Sequence, residues 1–408
     1  MPALGPPLRV ALVHDWLTGM RGGEKCLEVF CELFPDADLY TLVHRRGSVS
    51  PVIERRRVHE SWIAKLPAGR SRYRWYAPFY PLAIESFDLS RYDLVVSTSH
   101  CAAKGALTRA DTLHVCYCFT PVRYFWDLYG EYFARGRAGL LERAVAPWIA
   151  HRFRLWDRVS ADRVDLFVAD SEHVRDRIRK HYRRPSRVIF PPVDAKFFMP
   201  GAAGTAPDTS TPYLVVSALV PYKGVERAIR VANRRRLPLR VVGTGPDRKR
   251  LHAIAGPTVR FEEWLSMDAL REAYRTCRAL IQAHEEDFGI APLEAMACGR
   301  PVIALRKGGA GEVVPPFAGV LFDEPTDAGL EQAIDAFERR AFEPEALRRH
   351  ALEFDREVYR ERMRSLLGDA LAAFQRRRDD PGALDRLAGS CEGDVNVLES
   401  VPRGGIMR

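Results

Sequence analysis

Short apolar runs alternate with helical spacing along this chain, stop, and then start again. Runs with strand character lie at 8–16 (LRVALVHDW), 93–100, 113–119, 165–171 and 186–193. Between them come stretches with apolar residues at helical intervals, such as EKCLEVFCELF, and a helix start marked by Ser171 as N-cap. Strands that alternate with helices predict a parallel, doubly wound sheet. The pattern breaks at PGAAGTAPDTSTP (200–212), which is almost wholly small or turn-prone and reads as a linker. It resumes with strands at 213–220, 239–245, 279–283, 301–305 and 319–322. The expected organisation is therefore a first α/β domain over 1–200, a linker over 201–212 and a second α/β domain over 213–355. A long basic helix over 356–378 returns to the first domain, and a loose tail fills 379–408. Two such domains offer a cleft lined by the carboxyl ends of both sets of strands, where open α/β sheets bind ligands.

A length of 408 residues suffices for two cores, and 47% hydrophobic with 28% charged residues is the composition of a globular protein. Apolar runs are too short to span a bilayer, and the N-terminal stretch lacks the basic and apolar regions of a secretory leader. The eight cysteines are scattered without zinc spacing, so the expectation is reduced thiols in a cytoplasmic protein with no metal site. The net charge of +9, carried mostly by arginine, favours anionic partners.

The densest chemistry lies in HEEDFGIAPLEAMACGRPVIA (284–304). The strand at 279–283 ends just before it, so HEEDFG is a loop at a strand's carboxyl end. Pro292 suits the first turn of a following helix, whose free N–H groups and positive dipole end attract anions. Glu286 and Glu294 flank that helix start, and carboxylates accept strong hydrogen bonds from sugar hydroxyls. A diphosphate at the helix start with a sugar hydroxyl set on each side accounts for the arrangement. A dipole-stabilising acid at a helix start is the plainer alternative for Glu294.

This stretch resembles the signature of the family-4 retaining glycosyltransferases of GT-B fold, in which two glutamates bracket seven residues. HDWLTGMRGGEKCLEVF, HVCYCFTPVRYFWDLY, ADRVDLFVADSEHVRDRI, VIFPPVD, YLVVSALVPYKGVERAI, VVGTGPD and KGGAGEVV follow in that family's order. Their wording is closest to the mannosyltransferase branch of surface-polysaccharide assembly. The resemblance implies two Rossmann-like domains facing a central cleft, the first on the acceptor side and the second binding a nucleotide sugar. It assigns Glu286 to donor-sugar hydroxyls, helped by N–H groups from Phe288, Gly289 and Ile290. Glu294 would hold the ribose, the Leu293 amide would approach the phosphates, and Lys223 would neutralise the diphosphate. Gly22 and Gly23 would let the first domain approach the donor phosphate or the acceptor, and Gly243 and Gly245 would line the nucleotide pocket. Glu263 and Trp264 would come near the base, and Gly308, Gly309 and Glu312 form a further loop at a strand end. Two positions depart from the family's pattern. Ala218 stands where many relatives carry a second cation for the diphosphate, and Phe119 where many carry a histidine near the donor sugar. Arg123 is expected to supply a compensating cation.

The implied reaction is metal-independent transfer with retention, by front-face substitution, from GDP-mannose or, as alternatives, UDP-glucose or UDP-N-acetylglucosamine. The acceptor is a glycan or a lipid-linked glycan, and no cofactor beyond the nucleotide sugar is implied. Residues 54–81 hold seven basic against two acidic residues, interleaved with Trp62, Trp75 and four Tyr/Phe residues. That mixture suits an anionic membrane surface, at the inner face of the plasma membrane, and equally a solvated arginine face with aromatics turned inward. No nucleic-acid-binding signature accompanies it. A non-catalytic sugar-nucleotide-binding subunit stays open as the alternative raised by Ala218 and Phe119.

Overall fold

The structure, a computed structural model, describes residues 8–127, 129, 130, 140–201, 208, 210–263 and 265–389. It divides into two compact units, one running to Phe190 and joined by the segment from Tyr359 onward, the other spanning Pro191–Val358.

The first unit carries β1 (Val10–His14), α1 (Gly22–Leu33), β2 (Asp38–Thr41), α2 (Pro51–Glu54), β3 (Val58–Glu60), α3 (Tyr80–Glu85), β4 (Leu94–Ser99) and β5 (Leu113–Cys118). They are followed by α4 (Leu140–Ser160), β6 (Leu166–Ala169), α5 (Glu172–Tyr182) and β7 (Ser186–Val188). All seven strands are parallel, in the order β3-β2-β1-β4-β5-β6-β7. The central strands β1, β4 and β5 are buried along their whole length, as a parallel sheet covered on both faces requires. Successive side chains serve opposite faces: Leu12 packs with Phe30 of α1, whereas Ala11 and Val13 join Tyr80, Ile84 and Phe153.

The second unit carries β8 (Tyr213–Val216), α6 (Val225–Arg235), β9 (Leu239–Val242), α7 (Arg248–Ile254), β10 (Val259–Glu262), α8 (Met267–Arg275) and β11 (Leu280–Gln282). Then come α9 (Ile290–Ala297), β12 (Val302–Leu305), α10 (Ala310–Val313), β13 (Gly319–Phe322), α11 (Asp327–Glu338) and α12 (Pro344–Leu352). Its six strands are also parallel, ordered β10-β9-β8-β11-β12-β13. The last helices are α13 (Arg356–Gln375) and α14 (Ala383–Gly389). Tyr359, Met363, Leu366, Leu367, Ala370 and Phe374 form the buried stripe of α13 and enter the core beside β1 and α1.

The doubly wound α/β class expected from the alternation is the one observed, and Ser171 caps α5 by accepting from the Val174 N–H at 3.1 Å. Three strands were not anticipated. β3 and β10 are short, polar edge strands with little alternation to read, and β2 offers only four residues. Within the stretch expected to be a loose tail, α14 forms because Leu384, Leu387 and Ala388 fall on one face and pack on the first unit's core. The rest of that tail, 390–408, and most of the expected linker, 202–207 and 209, lie outside the described residues. Among the described residues no helix is long and apolar enough to cross a membrane.

Candidate functional site

In the second unit the chain leaves β8 towards β9 and β10, then returns to place β11 on the other side of β8. The sheet's winding reverses between β8 and β11, and a doubly wound sheet binds ligands at that switch point, beyond the strand ends. Lys223 sits there in the tight turn Pro221–Lys223 that follows β8, and Glu286 sits in the loop that follows β11. Their side chains form an ion pair. His284 Nε2 lies 2.9 Å from the same Glu286 oxygen, Oε2. Burial, the largest influence on Glu286, pushes its carboxyl up. Lys223 and His284 together outweigh it and hold the group well below the usual carboxylate range. The site therefore presents an ionised carboxylate with a cation beside it at neutral pH.

Glycines let two loops, those after β11 and β12, close on this centre. Gly308, after β12, has φ of +86° and pairs with Glu286 as a parallel bridge, and the Gly309 N–H donates to the Glu286 carbonyl at 2.9 Å. A Cβ on Gly308 would stand 2.1 Å from that carbonyl oxygen, and one on Gly309 would stand 2.3 Å from Phe288 Cα. Gly289, at φ of +83°, turns the chain into α9. The first N–H groups of α9 thereby open beside Glu286, with Ile290 leading and Leu293 one turn in.

Glu294 lies inside α9 and is buried, and it takes a 2.7 Å hydrogen bond from the hydroxyl of the buried Tyr274 in α8. Burial, then the carboxylate, raises the Tyr274 pKa, so its hydroxyl remains a donor at any accessible pH. Gly243 and Gly245 follow β9 and lie against the segment after β8. A Cβ on either would collide with the carbonyl of Ser217 or Leu219, at 1.9 and 2.2 Å. The same segment holds Ala218, whose neighbours are thus backbone from the β9 loop. Glu263 follows β10, next to Glu262, whose carbonyl accepts the Gly243 N–H at 2.9 Å, and its side chain is ion-paired with Arg248; Trp264 lies outside the described residues. Glu312 belongs to α10.

Gly22, Gly23 and Arg123 belong to the first unit. Gly22 and Gly23 open α1, where a Cβ on Gly23 would stand 3.2 Å from the Phe119 ring. Arg123 follows β5 and is half-buried. This unit's own switch point lies between β1 and β4 and carries a buried polar cluster. Asp15 accepts the backbone N–H groups of His100, Cys101, Ala102 and Ala103 at 2.6–2.9 Å, and His100 Nδ1 lies 3.0 Å from its carboxylate. Burial alone would raise both the Asp15 and Glu24 pKa values, but His100 lowers the first and His14 the second. His14 Nδ1 lies 2.7 Å from Thr98 Oγ1, and its ring stands 3.6 Å from where a Cβ on Gly23 would be. His100 places an imidazole beside Phe119, with 6.5 Å between the ring centroids. It was missed, along with Tyr274, because each acts through a partner distant in sequence, whereas His284 stood in the quoted stretch two residues from its partner and was given no role. The aromatics of 54–81 divide: Tyr73 and Tyr80 turn into the core, whereas Trp75 and Phe79 are exposed. Among the described residues no cluster of three His, Cys, Asp or Glu side chains is placed to hold a metal ion.

Two doubly wound parallel units, the second with a helix start beside paired carboxylate and ammonium groups, have the GT-B fold. Residues 202–353 match the family of glycosyl transferases group 1. Similar curated proteins include the GDP-mannose-dependent alpha-mannosyltransferase of Mycolicibacterium smegmatis, 32% identical over 53% of this chain and 55% of that one. The D-inositol 3-phosphate glycosyltransferase of Acidothermus cellulolyticus is 30% identical over 51% of each. The chain thus spans about half the length of the curated relatives it matches. Among solved structures, sucrose-phosphate synthase from Thermosynechococcus elongatus superposes with a TM-score of 0.66 at 18% identity, over 90% of this chain and all of that one. Anabaena Alr3699/HepE in complex with UDP gives 0.62 at 16% identity, over 88% of this chain and all of that one. These structural likenesses establish the fold.

Proposed function

We propose that this chain is a retaining glycosyltransferase that moves a hexose, mannose from GDP-mannose in first place, to a glycan or lipid-linked acceptor in cell-surface polysaccharide synthesis. The observation that carries the reading is the Lys223, Glu286 and His284 cluster at the switch point, beside the start of α9. A nucleotide diphosphate entering there meets the Lys223 ammonium and the first N–H groups of α9, which stabilise the charge that grows on the leaving phosphate. Glu286, ionised and held by His284, accepts hydroxyls of the donor sugar. Glu294, held by Tyr274, accepts those of the ribose. As the glycosidic bond to the phosphate breaks, the new bond forms on the same face of the sugar. The departing phosphate oxygen takes the proton of the acceptor hydroxyl, so no metal and no protein nucleophile is required. The relatives with GDP-mannose in their names support mannose over the UDP-sugars.

Calorimetric titration with GDP-mannose, UDP-glucose and UDP-N-acetylglucosamine, alongside a transfer assay, tests the reading. One donor is expected to bind, and Lys223→Met is expected to lower kcat by about 10²–10³, the usual loss for a single charge-stabilising donor. Binding without turnover on any acceptor would favour a sugar-nucleotide-binding subunit instead. No binding of the three donors would refute the site.

A further inference from the structure

The first unit contains a cavity of about 450 Å³ that the proposed donor site does not use. Five arginines line it: Arg21, Arg45, Arg70, Arg72 and Arg74. They come from three connections, those after β1, β2 and β3, three neighbouring strands whose carboxyl ends share one edge of the sheet. We infer that this cavity binds a phosphate or diphosphate group of the acceptor substrate, an inference that rests on the transferase reading.

The charge is the first argument. Arg70 is satisfied within the fold, since its guanidinium grips Glu60 through two bonds of 3.0 and 2.7 Å. Arg45, Arg72 and Arg74 form no ion pair among the described residues, and all three are exposed. Gathering like charges around one hollow costs self-repulsion that solvent and salt screen in part and a bound anion relieves further. A single carboxylate would offset one of these cations, whereas a phosphate ester or diphosphate brings two or three negative charges and matches the set.

Orientation is the second argument. Arg72 lies over the Trp75 ring at 4.3 Å and Arg74 near the Tyr73 ring at 5.5 Å. Stacking fixes the plane of a guanidinium while leaving its N–H edge free to fork onto phosphate oxygens. Tyr73 is itself anchored, packed on Trp16 at 5.2 Å between ring centroids. Trp75 is 67% exposed and offers an apolar plane beside the cations, suited to a sugar ring or lipid attached to the phosphate. The volume lies within the ordinary range for ligand sites, about 300–1,000 Å³. The donor's own diphosphate is served in the second unit by Lys223 and α9, which leaves this cavity to the acceptor.

The test is calorimetric titration of the full chain with inorganic pyrophosphate, performed in the Lys223→Met background so that the donor site does not contribute. Adding Arg45→Gln and Arg72→Gln, both at exposed positions, is expected to weaken pyrophosphate binding at least tenfold. The same pair in the native background is expected to leave donor affinity within twofold and to raise the acceptor KM. Pyrophosphate binding unaffected by the pair would overturn the proposal. Arginine-dependent pyrophosphate binding by a protein that binds none of the three donors would sink the transferase reading and leave the anion site standing. Phosphatidylcholine vesicles with and without phosphatidic acid distinguish the source. Displacement of pyrophosphate only by the acidic vesicles assigns the site to a lipid headgroup, and failure of both to displace it assigns the site to a soluble phosphate.

Discussion

Removing the hydroxyl of Tyr274 isolates the contact that fixes Glu294. Tyr274→Phe deletes one oxygen and leaves the buried ring against Phe198, at 5.7 Å between centroids, so packing changes little. What is lost is a 2.7 Å hydrogen bond to a buried carboxylate. Hydrogen bonds to charged groups contribute about 1.5–3 kcal/mol. Glu294 keeps other interactions, which places the expected loss in the lower half, about 1.5–2 kcal/mol. For a domain of this size each kcal/mol moves Tm by about 2–4 °C, so circular dichroism melts should show a drop of about 3–8 °C. Donor affinity should fall by about tenfold, equivalent to about 1.4 kcal/mol, because the carboxylate is no longer aimed. A double-mutant cycle with Glu294→Gln should return a coupling above about 1 kcal/mol. A Tm within about 1 °C of the parent, or strictly additive single effects, would refute the claim that this hydroxyl positions Glu294.

Gly309→Ala drives a methyl into the Phe288 backbone at 2.3 Å, so it should cost about 1–3 kcal/mol and abolish donor binding. Gly368→Ala in the exposed face of α13 meets nothing within 4 Å and should instead stabilise by about 0.5–1 kcal/mol, both read by denaturant titration. Asp327, paired chiefly with Arg230 and also with Arg234, is held down at about 2. Its depressed folded value means that its stabilisation is complete above the unfolded value near 4 and is lost as pH falls towards about 2. The Tm gap between the parent and Asp327→Asn should therefore be full at pH 6 and shrink steadily below about pH 4, and a gap independent of pH would contradict the assignment.

The alternation was enough to read the central strands of both sheets, because β1, β4, β5 and β12 are buried throughout and only a covered parallel sheet accommodates them. Edge strands escaped notice for the converse reason: β10, VRFE, has no fully buried residue and carries charges that mimic a loop. Lys223, Glu286 and Gly308 come together although 63 and 22 residues separate them in sequence, at positions the resemblance had already marked. Partners acquired only by folding were illegible. Nothing near Tyr274 announces that its hydroxyl will meet a carboxylate 20 residues on, and Arg45 gains meaning only once β2 and β3 bring it beside Arg72.

At the end of β1 the protein supplies its own counter-ion. The four successive amides from His100 to Ala103 form a concave cradle of the kind that seats phosphate elsewhere, and Asp15 already sits in it. The first unit's switch point is thereby stoppered, and a visiting anion gains nothing by lodging there. Arg45, Arg72 and Arg74, in the connections after β2 and β3, have no such internal carboxylate among the described residues. Two sheets wound in the same way thus end in unlike switch points: in one an internal carboxylate fills the amides, in the other Glu286 and Lys223 face each other.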